Sequence, residues 1–442
     1  MSDKNVSLTV ESKLCCSCGV CRGVCPAHCI GWTMENGMYY PNIDKDRCLD
    51  CGLCASVCPG LNRTYGDGAI DPHTAAVGTY FASYNSWSKD SVLRHMSASG
   101  GTVSTITKAL LSMNEYDYAF CLDTYSYREQ LKTSPKDVNS FSESWENSTT
   151  MKSRYLPVSH ENAIEFMCKN RKTRLILIGT SCALTGICNT INALGLERDN
   201  FLLIGLFCDQ VFNYNIVEYY DNELFAGKRI ESFHFKNKES GGWPGNMKFM
   251  LSDGTYQFRD AEERTRLKKY FMPECCLYCI DKLNVNADIS VGDNFTDIES
   301  SELGSNSVII RTAKGQKAWE LAKDNLINVR IPIEKIIDAQ AIDWRLNRLA
   351  YGDLKQKRTG SAHDADIELN KGIRKDTDYR NLNGSYKACL AALHTGEMYP
   401  KNPVELKRKI KKDIKNKNQN AITKLYRRAR RIAARIIKGA GK

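Results

Sequence analysis

Two runs of cysteine dominate the first sixty residues: Cys15-x2-Cys18-x2-Cys21-x3-Cys25-Pro26 and Cys48-x2-Cys51-x2-Cys54-x3-Cys58-Pro59. Two-residue gaps let three thiolates wrap one face of an iron–sulfide cubane while backbone amides point at its sulfides. The fourth cysteine, turned away by the following proline, crosses to a second cubane. The spacing therefore assigns one [4Fe–4S] cluster to Cys15, Cys18, Cys21 and Cys58, and another to Cys48, Cys51, Cys54 and Cys25. Paired zinc ribbons share the Cys-x2-Cys unit but not the triple run closed by Cys-Pro. Cys16 and Cys29 fall outside the pattern and read as small core or surface thiols.

The two runs repeat after 33 residues, as a pseudo-twofold ferredoxin-like domain requires. A second, looser constellation follows. The apolar segment from Arg174 to Gly179 reads as a buried strand that leads through Thr180 and Ser181 to Cys182. A helix through Ile187, Ile191 and Leu194 then leads to a second apolar strand, Phe201 to Phe207, ending at Cys208. Strand, helix, strand places both cysteines at the carboxyl ends of parallel strands, where open α/β sheets bind ligands. Cys275, Cys276 and Cys279 add a further Cys-x2-Cys unit. Cys182, Cys208, Cys276 and Cys279 could thus converge on a third cluster, with Cys275 as an alternative to Cys276; each alone reads equally as a small buried hydrophobe.

Composition sets the frame for these groups. The chain has 442 residues, 42% hydrophobic and 26% charged, the profile of a globular protein of two or three domains. Its longest apolar run, Phe201–Cys208, is far too short for a membrane span, and the first residues carry no apolar signal segment. Nineteen cysteines without an export signal indicate metal binding in a reducing, cytoplasmic setting. The net charge of +11 is local: residues 401–442 hold sixteen Lys/Arg against two acids, and the remainder is slightly acidic.

Taken in order, several stretches resemble the beta-subunit family of coenzyme F420-reducing hydrogenases and dehydrogenases, in the form that carries an N-terminal double-cluster ferredoxin domain. They are Ser97–Gly101, Lys152–Tyr155, Gly179–Cys182, Gly205–Cys208, Phe233–Lys236, Cys276-x2-Cys279 and Ala287–Asp293. The resemblance implies FAD on an α/β domain and a [4Fe–4S] cluster on Cys182, Cys208, Cys276 and Cys279. It also implies FAD contacts from Ser99, Gly100, Gly101 and Thr102 at the start of a helix over Val103–Leu110, and from Arg154, Tyr155, Thr180 and Lys236. No G-x-G-x-x-G or P-loop supports the flavin independently. The chain departs from the family where Ser181 and Ala183 flank the first cysteine of the third set and Asp209 and Gln210 follow the second; these positions bear on the substrate, so F420 is one candidate acceptor among organic compounds. Among the histidines only His234 is a candidate site residue, set against an ordinary strand histidine; the glycine-rich Gly241–Gly245 loop reads as a lid or a long hairpin turn.

The expected fold is an α+β ferredoxin-like 2[4Fe–4S] domain (1–65), a linker (66–76), an α/β flavin-binding domain (77–345), a polar helical extension (346–400) and a basic helical tail (401–442). The expected activity is electron transfer from ferredoxin or another redox protein, through the clusters and FAD, to a two-electron small-molecule substrate, or the reverse. A non-catalytic electron-transfer subunit is the rival, and relatives suggest a setting in envelope polysaccharide synthesis. In the tail, apolar Ile422, Leu425, Tyr426, Ala429, Ile432, Ala433, Ile436 and Ile437 alternate with seven bases as a cationic amphipathic helix, preceded by a basic linker over Lys407–Lys417. That helix suits an anionic membrane surface on the cytoplasmic side, then an acidic partner or the acidic body; nucleic acid is least favoured, since Tyr426 alone offers stacking.

Overall fold

The computed structural model describes residues 5–66, 71–122, 127–146, 152–225, 227–299, 301–360, 369 and 379–417. The strands of the described residues are β1 (Ile30–Glu35), β2 (Met38–Ile43), β3 (Ala82–Ser88), β4 (Tyr118–Leu122), β5 (Leu131–Lys136), β6 (Val158–Ser159) and β7 (Leu175–Thr180). They continue with β8 (Phe201–Leu206), β9 (Ile230–Asn237), β10 (Asn246–Leu251), β11 (Tyr256–Arg259), β12 (Ile289–Asp293), β13 (Asn306–Ile310) and β14 (Leu326–Arg330).

The apolar runs of β7 and β8 are buried on both faces, which is why neither alternates with polar residues. They pair in parallel from Leu175↔Phe201 to Thr180↔Leu206, joined by the helix Ser181–Leu194, which stops at Gly195 with φ 55°. Around this expected unit grows a nine-stranded mixed sheet in the order β14-β3-β13-β12-β8-β7-β4-β5-β6. Its centre, β12-β8-β7-β4, is parallel, and antiparallel pairs flank it. A separate antiparallel sheet, β11-β10-β9, lies beside it. The Gly241–Gly245 loop is the turn joining β9 to β10.

Successive strand residues face opposite ways, and the two faces carry different cores. Ile176, Leu202 and Ile204 pack with Ile106, Leu110, Phe141 and Trp319. Leu175, Leu177, Phe201 and Leu203 pack with Ile164, Met167, Leu184 and Ile187, and this core also takes in Val20, Val24 and Val57 from the cysteine-rich segment. The N-terminal module is therefore built into the core of the large sheet.

Three stretches differ from the sequence reading. Within the stretch read as a linker, Asp71 caps the helix Pro72–Val77 by accepting from the Thr74 amide at 3.0 Å, and Ala75 and Ala76 enter the core. The polar chain beyond Gly315, expected to be helical, instead adds at Leu326–Arg330 the edge strand β14 beside β3. Lys407–Lys417 is no linker: residues 403–417 form a helix whose Leu406 and Ile410, one turn apart, complete an aromatic core with Tyr219, Tyr220, Phe271 and Tyr399. The cationic helix expected over Ala421–Lys438 lies outside the described residues. Among those described, no helix is long and apolar enough to cross a membrane.

Candidate functional site

The two N-terminal cysteine runs fold as near copies. Ser17 and Asp50 take left-handed φ values of 56° and 49°, and Gly19 and Gly52 take 76° and 72° before the short helices Val20–Gly23 and Leu53–Ser56. These turns place Cys15, Cys18, Cys21 and Cys58 around one concavity of about 290 Å³ of empty space, walled by Val6, Trp32 and Pro41. Cys48, Cys51, Cys54 and Cys25 ring a second of about 380 Å³. The fourth cysteine of each run crosses to the other concavity. Cys16 and Cys29, read as stray thiols, also line them, and the Cys29 Sγ is 3.5 Å from the Cys25 Sγ.

Among the described residues no three His, Cys, Asp or Glu donors close on a single-ion site. The donors ring a space instead, and all are soft sulfur, the set an iron–sulfur cluster takes. Burial pushes the Cys15 thiol up to about 12 and carries Cys21 and Cys208 well above the ordinary range. These sulfurs are therefore protonated by themselves and would ionise against a cationic core.

The third set also comes together. Cys182 opens the helix after β7, Cys208 follows β8, and Cys276 and Cys279 lie in and just beyond the short helix Glu274–Leu277. Cys208 has Cys276, Cys182 and Cys279 as its charged-state neighbours. Cys275 is buried in the wall and hydrogen-bonds to Cys276; that bond draws Cys276 down to about 7 against its burial, helped by the Val211 amide and by Arg348 and Arg345. The sets are contiguous: Cys21 interacts with Cys54, Cys15 with Cys182, and the Cys16 thiol hydrogen-bonds with both Cys18 and Cys182.

Sequence reasoning missed the cations around the third set. Arg345 and Arg348 are buried, at 3% and 7% exposure. Arg345 donates to the Cys208 carbonyl at 3.1 Å and to the Asp209 carbonyl at 2.9 Å; Arg348 donates to the carbonyls of Cys276 at 2.6 Å and Cys279 at 3.4 Å. Burial would raise Asp209, but Lys268, Arg345 and Arg348 hold it well below the usual carboxylate range. The available signal was the i,i+3 spacing of the two arginines among Ile342, Leu346 and Leu349, a polar pair on an otherwise apolar face.

A second group of cations gathers the expected FAD contacts. Lys236 pairs with Asp293 at the end of β12, and its ammonium lies 5.8 Å from the Tyr155 ring, which Arg264 also approaches at 5.4 Å. Arg154 donates to the Lys152 carbonyl at 3.0 Å. Lys238 joins this group to the glycine segment by donating to the carbonyls of Ser99 and Arg94, both at 2.6 Å. Burial, then repulsion from Lys152, Arg94 and Lys236, pulls Lys238 down to about 7; burial pulls Lys152 down to about 8 against the attraction of Glu239. His234 belongs to the same group and is held near 3 by burial and by Arg154, Lys152 and Lys248.

The helix beginning at Thr102 runs to Ser112, and Gly101 before it takes φ 81°. Gly100 is closely enclosed: a Cβ there would stand 2.7 Å from the Asn306 Oδ1 and 2.9 Å from the Ser86 carbonyl. The hydroxyls of Ser99 and Thr102 donate to the Ser305 and Ser86 carbonyls at 2.8 and 3.1 Å, and the Thr102 amide donates to Asn306 Oδ1 at 3.3 Å. Thr180 stands apart from the cationic group, its Oγ1 3.4 Å from the Cys182 Sγ. The Gly241–Gly245 turn folds over the glycine segment, bringing Trp243 against Gly304, which itself abuts Ser99. Among the described residues the buried Trp243 Nε1 finds no hydrogen-bond partner. Excess buried positive charge and an unsatisfied donor fit an anionic ligand such as a dinucleotide.

Two family profiles match parts of the chain. Residues 172–335 match the profile for the C terminus of the coenzyme F420 hydrogenase/dehydrogenase beta subunit, and residues 40–70 match a 4Fe–4S binding domain. Among solved structures the chain is similar to one from the F420-reducing [NiFe] hydrogenase complex of Methanosarcina barkeri, at 16% identity and a TM-score of 0.46, over 64% of this chain and 91% of that one. No curated protein matches. With its cysteine module at the N-terminus and the matched α/β region behind it, the chain carries a 4Fe–4S binding domain followed by a region similar to the C terminus of coenzyme F420 hydrogenase/dehydrogenase beta subunits.

Proposed function

We propose that the protein is an iron–sulfur flavoprotein oxidoreductase that links one-electron carriers to a two-electron organic substrate, with F420 as one candidate. The observation that carries this reading is the unbroken succession of thiol groups. It runs from Cys25/Cys48/Cys51/Cys54, through Cys15/Cys18/Cys21/Cys58, to Cys182/Cys208/Cys276/Cys279, at the carboxyl ends of parallel strands. Each set holds one [4Fe–4S] cluster in this reading. Arg154, Tyr155 and Lys236, with Lys152 and Lys238, hold the FAD pyrophosphate and ring; Ser99–Thr102 form the backbone wall behind it. When bound, the clusters supply single-electron transfer and the flavin supplies exchange between one- and two-electron chemistry.

The chain's own residues bind, orient and exclude water. Leu206, at the end of central strand β8, is 36% exposed, an apolar floor left uncovered where such sheets take ligands. Tyr155, between two cations and braced by Phe212 and Phe235, is a fixed aromatic ring within the cationic group. No acid–base pair stands out, so the site's work is positioning and potential setting.

Anaerobic purification with iron, sulfide and flavin analysis tests the reading. Twelve iron atoms and one FAD per chain are expected; zinc in place of iron, or colourless protein, overturns it. Flavin that is bound but never bleached by a small-molecule donor would instead favour a subunit that passes electrons to a separate enzyme.

A further inference from the structure

Arg345 and Arg348 lie beyond the 172–335 match, yet both are buried against the third cysteine set. Their donors end on the backbone carbonyls of Cys208, Cys276 and Cys279, three of its four members, and Arg345 also reaches the Ile280 carbonyl at 3.2 Å. Asp209 is the acid between them: its Oδ1 is 3.1 Å from Arg345 and 3.8 Å from Arg348, and its Oδ2 accepts from Lys268 at 3.0 Å. Two buried guanidiniums and one lysine thus face one carboxylate. The surplus positive charge lies against thiolates whose cluster gains a negative charge on reduction.

We infer that Arg345 and Arg348 are positioning residues that hold the third cluster's reduction potential up, and that Asp209 trims that effect. The inference rests on the third-cluster reading above. A guanidinium in a water-poor site stabilises the reduced, more negative form, while a carboxylate stabilises the oxidised one. The C-terminal helices are by this account part of the redox site and not an appendage to it.

The test is an EPR-monitored redox titration of the full chain reconstituted anaerobically, with the third cluster's signal assigned by its loss in Cys182→Ser. In Arg348→Gln the reduced-to-oxidised ratio at fixed ambient potential should fall about tenfold, a downward shift of about 59 mV for a one-electron couple. Arg348→Lys, which keeps the charge and loses the fork, should recover most of that shift. Asp209→Asn should move the potential the opposite way. Potentials unchanged in Arg348→Gln and Asp209→Asn, or shifted in the same direction, overturn the inference. Should Arg348→Gln fail to hold the cluster, Asp209→Asn decides alone: an upward shift supports the assignment and no shift overturns it. Wild-type protein with only eight iron atoms per chain would instead defeat the third-cluster reading itself.

Discussion

Gly19 and Ser159 meet so closely that a Cβ on Gly19 would stand 2.1 Å from the Ser159 Oγ. One residue belongs to the first cysteine run and the other to β6, at the edge of the large sheet, and the His160 amide beside it donates to the Cys18 carbonyl at 2.8 Å. The cysteine module is therefore seated on the α/β region by backbone approach, and its distance from the third cysteine set is fixed by that seat.

Gly19→Ala should accordingly destabilise the protein by about 2–4 kcal/mol, from the left-handed φ of 76° together with the clash. Ser159→Gly in the same chain should recover the clash but not the backbone strain. Denaturant titration with iron content checks both, and an unchanged midpoint in Gly19→Ala would show that the seat is not tight.

Glu161 is the polar centre of the same seat. Its buried carboxylate accepts from Trp32 Nε1 at 2.9 Å and Lys132 Nζ at 2.6 Å, and lies 3.0 Å from the Arg22 Nε. Trp32 and Arg22 come from the cysteine module, Lys132 from β5. Glu161→Ala should cost about 3 kcal/mol, because it strands partners from both sides. Glu161→Gln, which keeps an acceptor for Trp32, should cost less. Limited proteolysis of the β1–β2 hairpin should accelerate in the same order.

The buried lysines predict a pH dependence. Lys238 and Lys152 titrate near 7 and 8 in the folded chain, against 10.5 ordinarily, so the unfolded chain binds more protons between those values. The stability of cofactor-free protein should therefore rise as pH increases from about 7 towards 10.5. An anion bound among them restores the charged forms, so FAD binding at pH 8.5 should take up protons. Calorimetry in buffers of different ionisation enthalpy measures this, and proton release would contradict the assigned pyrophosphate site.

The helix over residues 403–417 is part of the folded body. Deletion from residue 403 removes the buried Leu406 and Ile410 together with the Asp413 partner of Lys269 and Tyr270, and should unfold or strongly destabilise the protein. Leu406→Ala alone should cost about 2–5 kcal/mol. Deletion from residue 418 keeps the helix over 403–417 and removes the expected cationic helix, which makes it the variant for co-sedimentation with anionic vesicles. Equal binding by full-length and shortened chains rejects a membrane role for the basic tail.

The cysteine spacing and the unbroken apolar runs were legible because their causes are local. Two-residue gaps and left-handed turns set the N-terminal thiols, and a strand buried on both faces must be apolar throughout. Cys182, Cys208, Cys276 and Cys279 lie up to 97 residues apart, so no spacing could bring them together; the β7–β8 pairing did, with the Cys208 amide donating to the Lys282 carbonyl and the Ser181 hydroxyl to the Asp281 carbonyl just beyond Cys279. Arg345, Arg348 and Lys238 can be buried because distant carbonyls and Asp209 supply their partners, which only the tertiary structure brings to them. Likewise the basic run before Lys417 declared its charge in sequence, whereas Leu406 and Ile410 needed an aromatic core, built elsewhere in the chain, to give that helix a place. Local chemistry set the N-terminal cysteine runs; long-range packing alone gathered the third set beside them.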